Sequence, residues 1–386
     1  MDRQNRSPAA LLALGTAVPP YQARQEDIAQ WMITSLSSRP ALERLVRGLY
    51  ASSGIDLRHS CIEDFLHPPE HSHFAPGQPL EQVCTTAERM LLYERAAPPL
   101  AAVAASRALE QLAERNDIPL PAATASISHL IVVTCTGFFA PGLDLALARQ
   151  LNLAPSAERT VVGFMGCSAA FNALRMAHHI VRSQPAARVL IVCVELCSLH
   201  IQPGAHREDL IAGSLFADGA AACVVGSAHG HQGDAFRLDS FYSEVKPDTD
   251  SDMVWQIGNY GFALRLSPQV PKHLATVAPA ALHRLCQPNG PATELGFWAI
   301  HPGGPAIIER LAAVFDLAPE QTEASRSVLR RYGNMSSGTI LFVLAEVGAR
   351  LRTAHTCQTG VAMAFGPGLV IEMAQLTYLP ARSKSL

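Results

Sequence analysis

A cysteine, a histidine and an asparagine, in that chain order and each close to glycine, are the residues of this chain best suited to chemistry. Cys167 lies in Phe164-Met-Gly-Cys167-Ser-Ala-Ala, after the strand-like run Thr160-Val-Val-Gly and before a helical pattern. That order predicts a helix N-terminus at or near Cys167, where free backbone N–H groups and the helix dipole favour a thiolate. A thiolate is the nucleophile that takes an acyl group from a thioester. Taken alone, Cys167 reads equally well as a buried packing residue. His301 stands in His301-Pro-Gly-Gly-Pro, directly after the apolar run Gly296-Phe-Trp-Ala-Ile. Strand ends that open into irregular backbone are where α/β proteins place function, although a polar loop histidine has the same signature. Asn334, in Arg331-Tyr-Gly-Asn334-Met-Ser-Ser-Gly, reads by itself as a helix N-cap.

Cys, His and Asn together fit two chemistries. Papain-like proteases use such a set, but here the cysteine is mid-chain and the local protease signature is missing. The other chemistry is thioester condensation, in which malonyl-CoA loses its carboxylate and His and Asn donate hydrogen bonds to the developing enolate oxygen. It requires no metal or redox cofactor.

These residues need a scaffold of strands and helices. His129-Leu-Ile-Val-Val-Thr, Arg188-Val-Leu-Ile-Val-Cys-Val and Ala220-Ala-Ala-Cys-Val-Val-Gly read as buried strands. Phe171 to Arg182 has helical spacing, and so has Thr339 to Leu351. Val361-Ala-Met-Ala-Phe and Leu369-Val-Ile-Glu-Met-Ala read as strands around a Gly-Pro-Gly turn, while residues 62–80 read as loop. The alternation predicts an α/β protein. The Gly- and His-rich stretch from Gly226 to Asp234 divides it into related halves, residues 1–228 and 229–386.

Composition narrows the function classes. The 386 residues are 48% apolar and 16% charged, enough for a large core. A net charge of -3 without a basic run argues against a nucleic-acid partner. Nine cysteines, an odd number and several inside apolar runs, predict reduced thiols in a cytoplasmic protein. Ala9 to Val18 mimics the apolar part of a signal peptide, but Pro19-Pro20-Tyr21 follows in place of a cleavage site. No run is long enough to predict a membrane helix. Cys61, His67, His71, His73 and Cys84 cluster in sequence without the paired spacing of common zinc modules, so no metal site is assigned.

The motifs also match a family. Gly166-Cys167-Ser-Ala-Ala, Leu215-Phe216-Ala-Asp-Gly-Ala-Ala, His301-Pro-Gly-Gly-Pro, Gly333-Asn334-Met-Ser-Ser and Phe365-Gly-Pro-Gly, in this order, resemble the chalcone synthase-like type III polyketide synthases. The resemblance implies a thiolase fold, two related α/β halves forming an α-β-α-β-α layered core, and a homodimer. It implies malonyl-CoA and acyl-CoA substrates, Cys167 as the acyl carrier, and His301 and Asn334 as partners in thiolate generation and enolate stabilisation. Phe216 matches a gatekeeper between the CoA tunnel and the cavity, and Phe365, Gly366, Pro367 and Gly368 match the loop shaping the cavity floor. Arg44 and Arg47 lie where relatives carry basic residues for CoA phosphates, and read equally as a solvated helix face.

Departures from the plant members are informative. Leu264 stands for a second gatekeeper phenylalanine, Ala140 for a methionine that enters the partner's cavity, and Cys135, His200 and Ser336 for cavity-lining residues. Cys135 reads as a second reactive thiol or as packing. Thr134-Cys-Thr-Gly-Phe and Glu195-Leu-Cys-Ser-Leu-His200 resemble bacterial members making alkylpyrones or alkylresorcinols, implying an aliphatic starter. A ketoacyl-ACP synthase III and a non-catalytic thiolase-fold acyl-binding protein are the competing readings.

Overall fold

The computed structural model describes residues 8–36, 40–287 and 295–381. Its first strand, β1 (Ala9–Ala17), is the run that mimics a signal peptide; here it is a buried strand at the centre of a sheet. A small ribbon of β2 (Tyr21–Arg24) and β3 (Leu57–Ser60) flanks helices α1 (Gln25–Ser35) and α2 (Pro40–Ala51). The loop expected over residues 62–80 holds only short 3-10 turns. A Thr85–Glu88 capping box then starts the long helix α3 (Thr86–Asn116), and α4 (Leu120–Ala125) follows.

The first half of the sheet continues with β4 (His129–Thr134), α5 (Leu143–Gln150), β5 (Glu158–Gly163), α6 (Ala169–Ser183), β6 (Val189–Leu196), α7 (Arg207–Leu215) and β7 (Asp218–Ser227). β1 pairs antiparallel with β7, and β7 antiparallel with β6. β6 pairs parallel with β4, and β4 parallel with β5.

The remaining elements repeat that plan. They are β8 (Ala235–Val245), the hairpin β9 (Met253–Gly258) and β10 (Gly261–Leu266), α8 (Val270–Cys286), β11 (Phe297–Ile300), α9 (Pro305–Val314), α10 (Pro319–Tyr332), α11 (Thr339–Ala354), β12 (Gln358–Gly366) and β13 (Val370–Leu379). β8 is antiparallel to β13, β13 antiparallel to β12, and β12 parallel to β11. β1 and β8 touch through Ala10↔Arg237 and Leu11↔Phe236, so the two half-sheets are hydrogen-bonded into one of nine strands.

Side-chain alternation sorts the layers, because neighbours on a strand face opposite sides. Ala9, Leu11, Ile131 and Ile191 face α6 and α11, which also pack on Ala362, Ala364 and Ala374 of the second half. Leu12, Leu130 and Leu190 face the α3 side, and Trp298, Val361 and Met363 face α8 and α9. The result is the α-β-α-β-α order of the thiolase fold. The two central helices are covered by both half-sheets, which is why Ile340 to Leu344 are all buried.

Candidate active site

α6 and α11 occupy equivalent places, and each is entered through a 3-10 turn: Gly166–Ser168 before α6 and Ser336–Gly338 before α11. The first residue of each turn is left-handed, with φ of 67° at Gly166 and 49° at Ser336. A Cβ on Gly166 would collide with the ring of Pro367, so glycine is required both for this backbone and for contact with the β12–β13 turn. Cys167 therefore sits in the turn that leads into α6, two residues before the helix begins at Ala169.

Burial works against the thiolate that the helix terminus favours. Burial pushes the Cys167 thiol up to about 11, although hydrogen bonds from Ser336 and Asn334 favour the thiolate. Desolvation outweighs the helix terminus here. The thiol contacts Ser336 Oγ at 3.6 Å.

His301 leaves β11 with its backbone N–H on Met363 O at 2.8 Å. Its ring is buried, neither nitrogen has a hydrogen-bond partner, and burial pushes its pKa down to about 3. Asn334 is held by its backbone against the strand-like segment at Phe216: Asn334 N–H donates to Leu215 O and Ala217 N–H to Asn334 O, both at 2.9 Å. Its Oδ1 accepts from Ser336 N–H at 2.9 Å, which orients the amide so that Nδ2 is the donor end. Nδ2 makes one long contact, 3.4 Å to Gly303 O.

Cys167, His301 and Asn334 line a single cavity of ≈ 60 Å³, with Phe216, Leu264, Cys135, Ser336, Phe365 and Pro367 in its wall. Gly366 and Gly368 lie in the turn behind that wall, where a Cβ on Gly366 would collide with Ser168 Oγ. His200 is not in this cavity but lines an adjoining one. Its ring is a fixed wall: Nε2 donates to Thr136 O at 2.7 Å and Nδ1 accepts from Phe262 N–H at 3.0 Å. Burial pushes its pKa down to about 3, so it stays neutral.

Cys135 is buried, and burial raises its thiol well above the usual range. Its sulfur accepts the Gly166 N–H at 3.1 Å, bracing the turn beneath the nucleophile. Arg44 and Arg47 lie on the exposed face of α2, outside the cavity. Arg47 pairs with Glu43 at 2.9 Å and borders a separate open groove with Arg24. Among the described residues no three His, Cys, Asp or Glu side chains gather as a metal-ligand set.

Two residues escaped the sequence reading. Trp255 lines the cavity, and its indole N–H donates to Cys135 O at 2.7 Å. A single tryptophan in the mixed run Met253-Val-Trp-Gln-Ile carries no local signal. Glu195 is fully buried and accepts from Cys135 N–H and Thr136 Oγ1, both at 2.9 Å, and from Ser337 Oγ. Burial pushes its carboxyl up to about 7. A glutamate ending the apolar run Val189–Leu196 was the available clue.

Residues 1–229 match the N-terminal domain of chalcone and stilbene synthases, and residues 237–380 match the C-terminal domain of the same enzymes. The chain belongs to the chalcone and stilbene synthase family. It is 34% identical, over 94% of its length and 90% of the relative's, to the alpha-pyrone synthesis polyketide synthase-like Pks18 of Mycobacterium tuberculosis, and equally to that of Mycobacterium bovis. The structure resembles PKS-I of the brown alga Ectocarpus siliculosus with a TM-score of 0.85 and 30% identity, covering 97% of this chain and 99% of that one. It also resembles the C-terminal type III polyketide synthase domain of Steely1, a type I/III hybrid from Dictyostelium, with a TM-score of 0.85 and 25% identity over 96% of this chain and 99% of that one. This chalcone synthase-like chain is thus a type III polyketide synthase, a decarboxylating condensing acyltransferase. Enzymes of this family draw on malonyl-CoA and acyl-CoA thioesters.

Proposed function

We propose that Cys167, His301 and Asn334 extend an aliphatic acyl-CoA starter with malonyl-CoA, and that the product closes to a pyrone or resorcinol. The supporting observation is the convergence of these three side chains on one largely apolar cavity. Cys167 attacks the starter carbonyl and CoA thiolate leaves, taking up a proton. Malonyl-CoA then loses carbon dioxide, and the electron pair forms the enolate of acetyl-CoA. The unpartnered nitrogens of His301 and the Nδ2 of Asn334 are the donors for that enolate oxygen. The enolate carbon attacks the Cys167 thioester, and the thiolate departs as the new carbon–carbon bond forms.

His301 also takes the Cys167 proton. Burial disfavours each ion alone, but an imidazolium beside a thiolate stabilises both. The chemistry uses no metal or redox cofactor. The nucleophile comes from the half spanning residues 1–228, and His301 and Asn334 from residues 229–386. Phe216 acts as the gate, because its backbone is tied to Asn334 and its ring borders the cavity. The pyrone outcome follows the printed name of the Mycobacterium relative.

The working unit is a homodimer. Edge strand β5 is exposed from Glu158 to Val161, and Val161, Met165 and Phe138 present 46%, 43% and 39% of their surface. An unpaired strand edge with an apolar rim favours a second copy. Nine free cysteines suit the reducing cytoplasm.

The test is product mass spectrometry with malonyl-CoA and starters from acetyl-CoA to long-chain acyl-CoAs, with Cys167→Ala in parallel. Cys167-dependent pyrones or resorcinols establish the reaction; products made equally by Cys167→Ala overturn the assigned nucleophile.

A further inference from the structure

Helix α7 ends immediately before Phe216, and its final intrahelical bond runs from Phe216 N–H to Ala212 O. The next four carbonyls lie outside the helical ladder and need partners from elsewhere. Leu215 O accepts from Asn334 N–H at 2.9 Å, and Ser214 O from Gln25 Nε2 at 2.8 Å. Gly213 O and Phe216 O, the first and last of the four, both accept from one atom, Nη1 of Arg58, at 2.6 and 2.8 Å. The stem of Arg58 reaches the other side of the same bridge: a Cβ on Gly333 would stand 3.2 Å from Arg58 Cγ. One side chain thus touches both segments of the Phe216↔Asn334 bridge, with its head on Phe216 and its stem under the residue before Asn334.

Packing does not account for an arginine here. Arg58 is 4% exposed, and its guanidinium lies 5.4 and 5.9 Å from the ring centroids of Tyr50 and Phe65. Its Nε and Nη2 have no hydrogen-bond partner among the described residues. Asp218, whose charge bears on it, is engaged instead by Ser198 and by the Cys61 N–H. A buried cation without an ion pair is unfavourable, and an apolar residue of similar length would fill the same space without that penalty. The two carbonyls at the end of α7 are what the guanidinium serves.

We propose that Arg58 is a positioning residue for the decarboxylation step: by holding Phe216 O it fixes the bridge on which Asn334 is mounted, and so the place from which Asn334 Nδ2 meets the enolate oxygen. The inference rests on the polyketide synthase reading of the chamber and adds the support that aims one of its two donors. Arg58 lines an adjoining cavity with His59 and is absent from the wall that Cys167, His301 and Asn334 share, so its effect travels through the bridge.

The experiment measures carbon dioxide release from malonyl-CoA, with no starter added, in a double-mutant cycle of Arg58 and Asn334. Malonyl-CoA loses its carboxylate as carbon dioxide, and the enolate takes a proton to become acetyl-CoA. Arg58→Met keeps a stem of similar length and removes the donors. Its kcat should fall by about a hundredfold, the effect of misplacing a reacting partner by about 1 Å. Arg58→Lys keeps a cation without the planar fork, and its kcat should fall by about tenfold. In the Asn334→Ala background neither substitution should lower the rate by more than about twofold, because the group that Arg58 aims is gone. Alkylation of Cys167 by iodoacetamide, followed on each Arg58 single variant, should stay within about threefold of wild type. Equal losses with and without Asn334, or alkylation that falls in parallel with kcat, are what a merely structural role would give, and either overturns the proposal. So does Arg58→Lys with wild-type kcat. If Arg58→Met does not fold, Arg58→Lys carries the same cycle and decides it. A wild type that releases no carbon dioxide from malonyl-CoA sinks the polyketide reading itself, before any variant is compared.

Discussion

Cys167 and His301 illustrate a conflict between position and burial. The helix terminus favours a thiolate, yet burial, outweighing the hydrogen bonds from Ser336 and Asn334, pushes the thiol up to about 11, and burial pushes the imidazole down to about 3. If the thiolate arises by proton transfer to His301, wild-type Cys167 is alkylated by iodoacetamide near neutral pH. In His301→Gln the rate should instead climb with pH toward about 11, roughly tenfold per unit. Identical pH profiles for the two proteins would remove His301 from thiolate generation. Glu195 makes a second residue-scale prediction. Its folded pKa of about 7 exceeds its ordinary 4.5 because of burial, so the folded state binds the proton more tightly. That contribution is complete below pH 4.5, fades as pH rises to about 7, and is worth roughly 3 kcal/mol across the window. Urea midpoints of wild type against Glu195→Gln should show this fall only in the wild type.

The decisive element is the 3-10 turn that feeds each central helix. Gly166 has positive φ and no room for a Cβ against Pro367, whereas Ser336 takes the equivalent conformation with a side chain that reaches the nucleophile. Gly166→Ala must either push the β12–β13 turn away or shift Cys167. It should destabilise the protein by about 2 kcal/mol, read as a lower urea midpoint. Acyl transfer should fall by roughly a hundredfold, because small displacements of a nucleophile are costly. Near-wild-type loading of Cys167 in this variant would show that the turn tolerates the change.

At the scale of the molecule, the two halves share their centre and leave one edge free. α6 and α11 lie between the half-sheets, so Cys167 and Ser336 approach each other from equivalent turns, with Asn334 two residues before the second. β5 is the outlying strand, with no counterpart at the far end of the second half among the described residues. Placing a charge there, as Val161→Glu, should convert a dimer to a monomer in size-exclusion chromatography with light scattering. A wild-type protein that is monomeric at micromolar concentration would refute the edge-strand interface.

The amino-acid pattern alone determined the strands from His129, Arg188 and Ala220, the helices after Cys167 and Asn334, and the loop over residues 62–80, because backbone period and turn chemistry are local. The five ordered motifs determined the family for the same reason: each is a short segment whose spacing survives without knowledge of its neighbours. Tertiary structure decided the rest. His200 became a wall because Thr136 and Phe262 claim both its nitrogens, and Cys135 became a brace because Gly166 N–H meets its sulfur. Trp255 gained meaning only when β9 laid it across Cys135, more than a hundred residues away in the chain. Burial, more than sequence position, moved the pKa of Cys167 and Glu195 up and that of His301 down. Cavities and desolvation are made by side chains that meet across long chain separations, so no local motif encodes them.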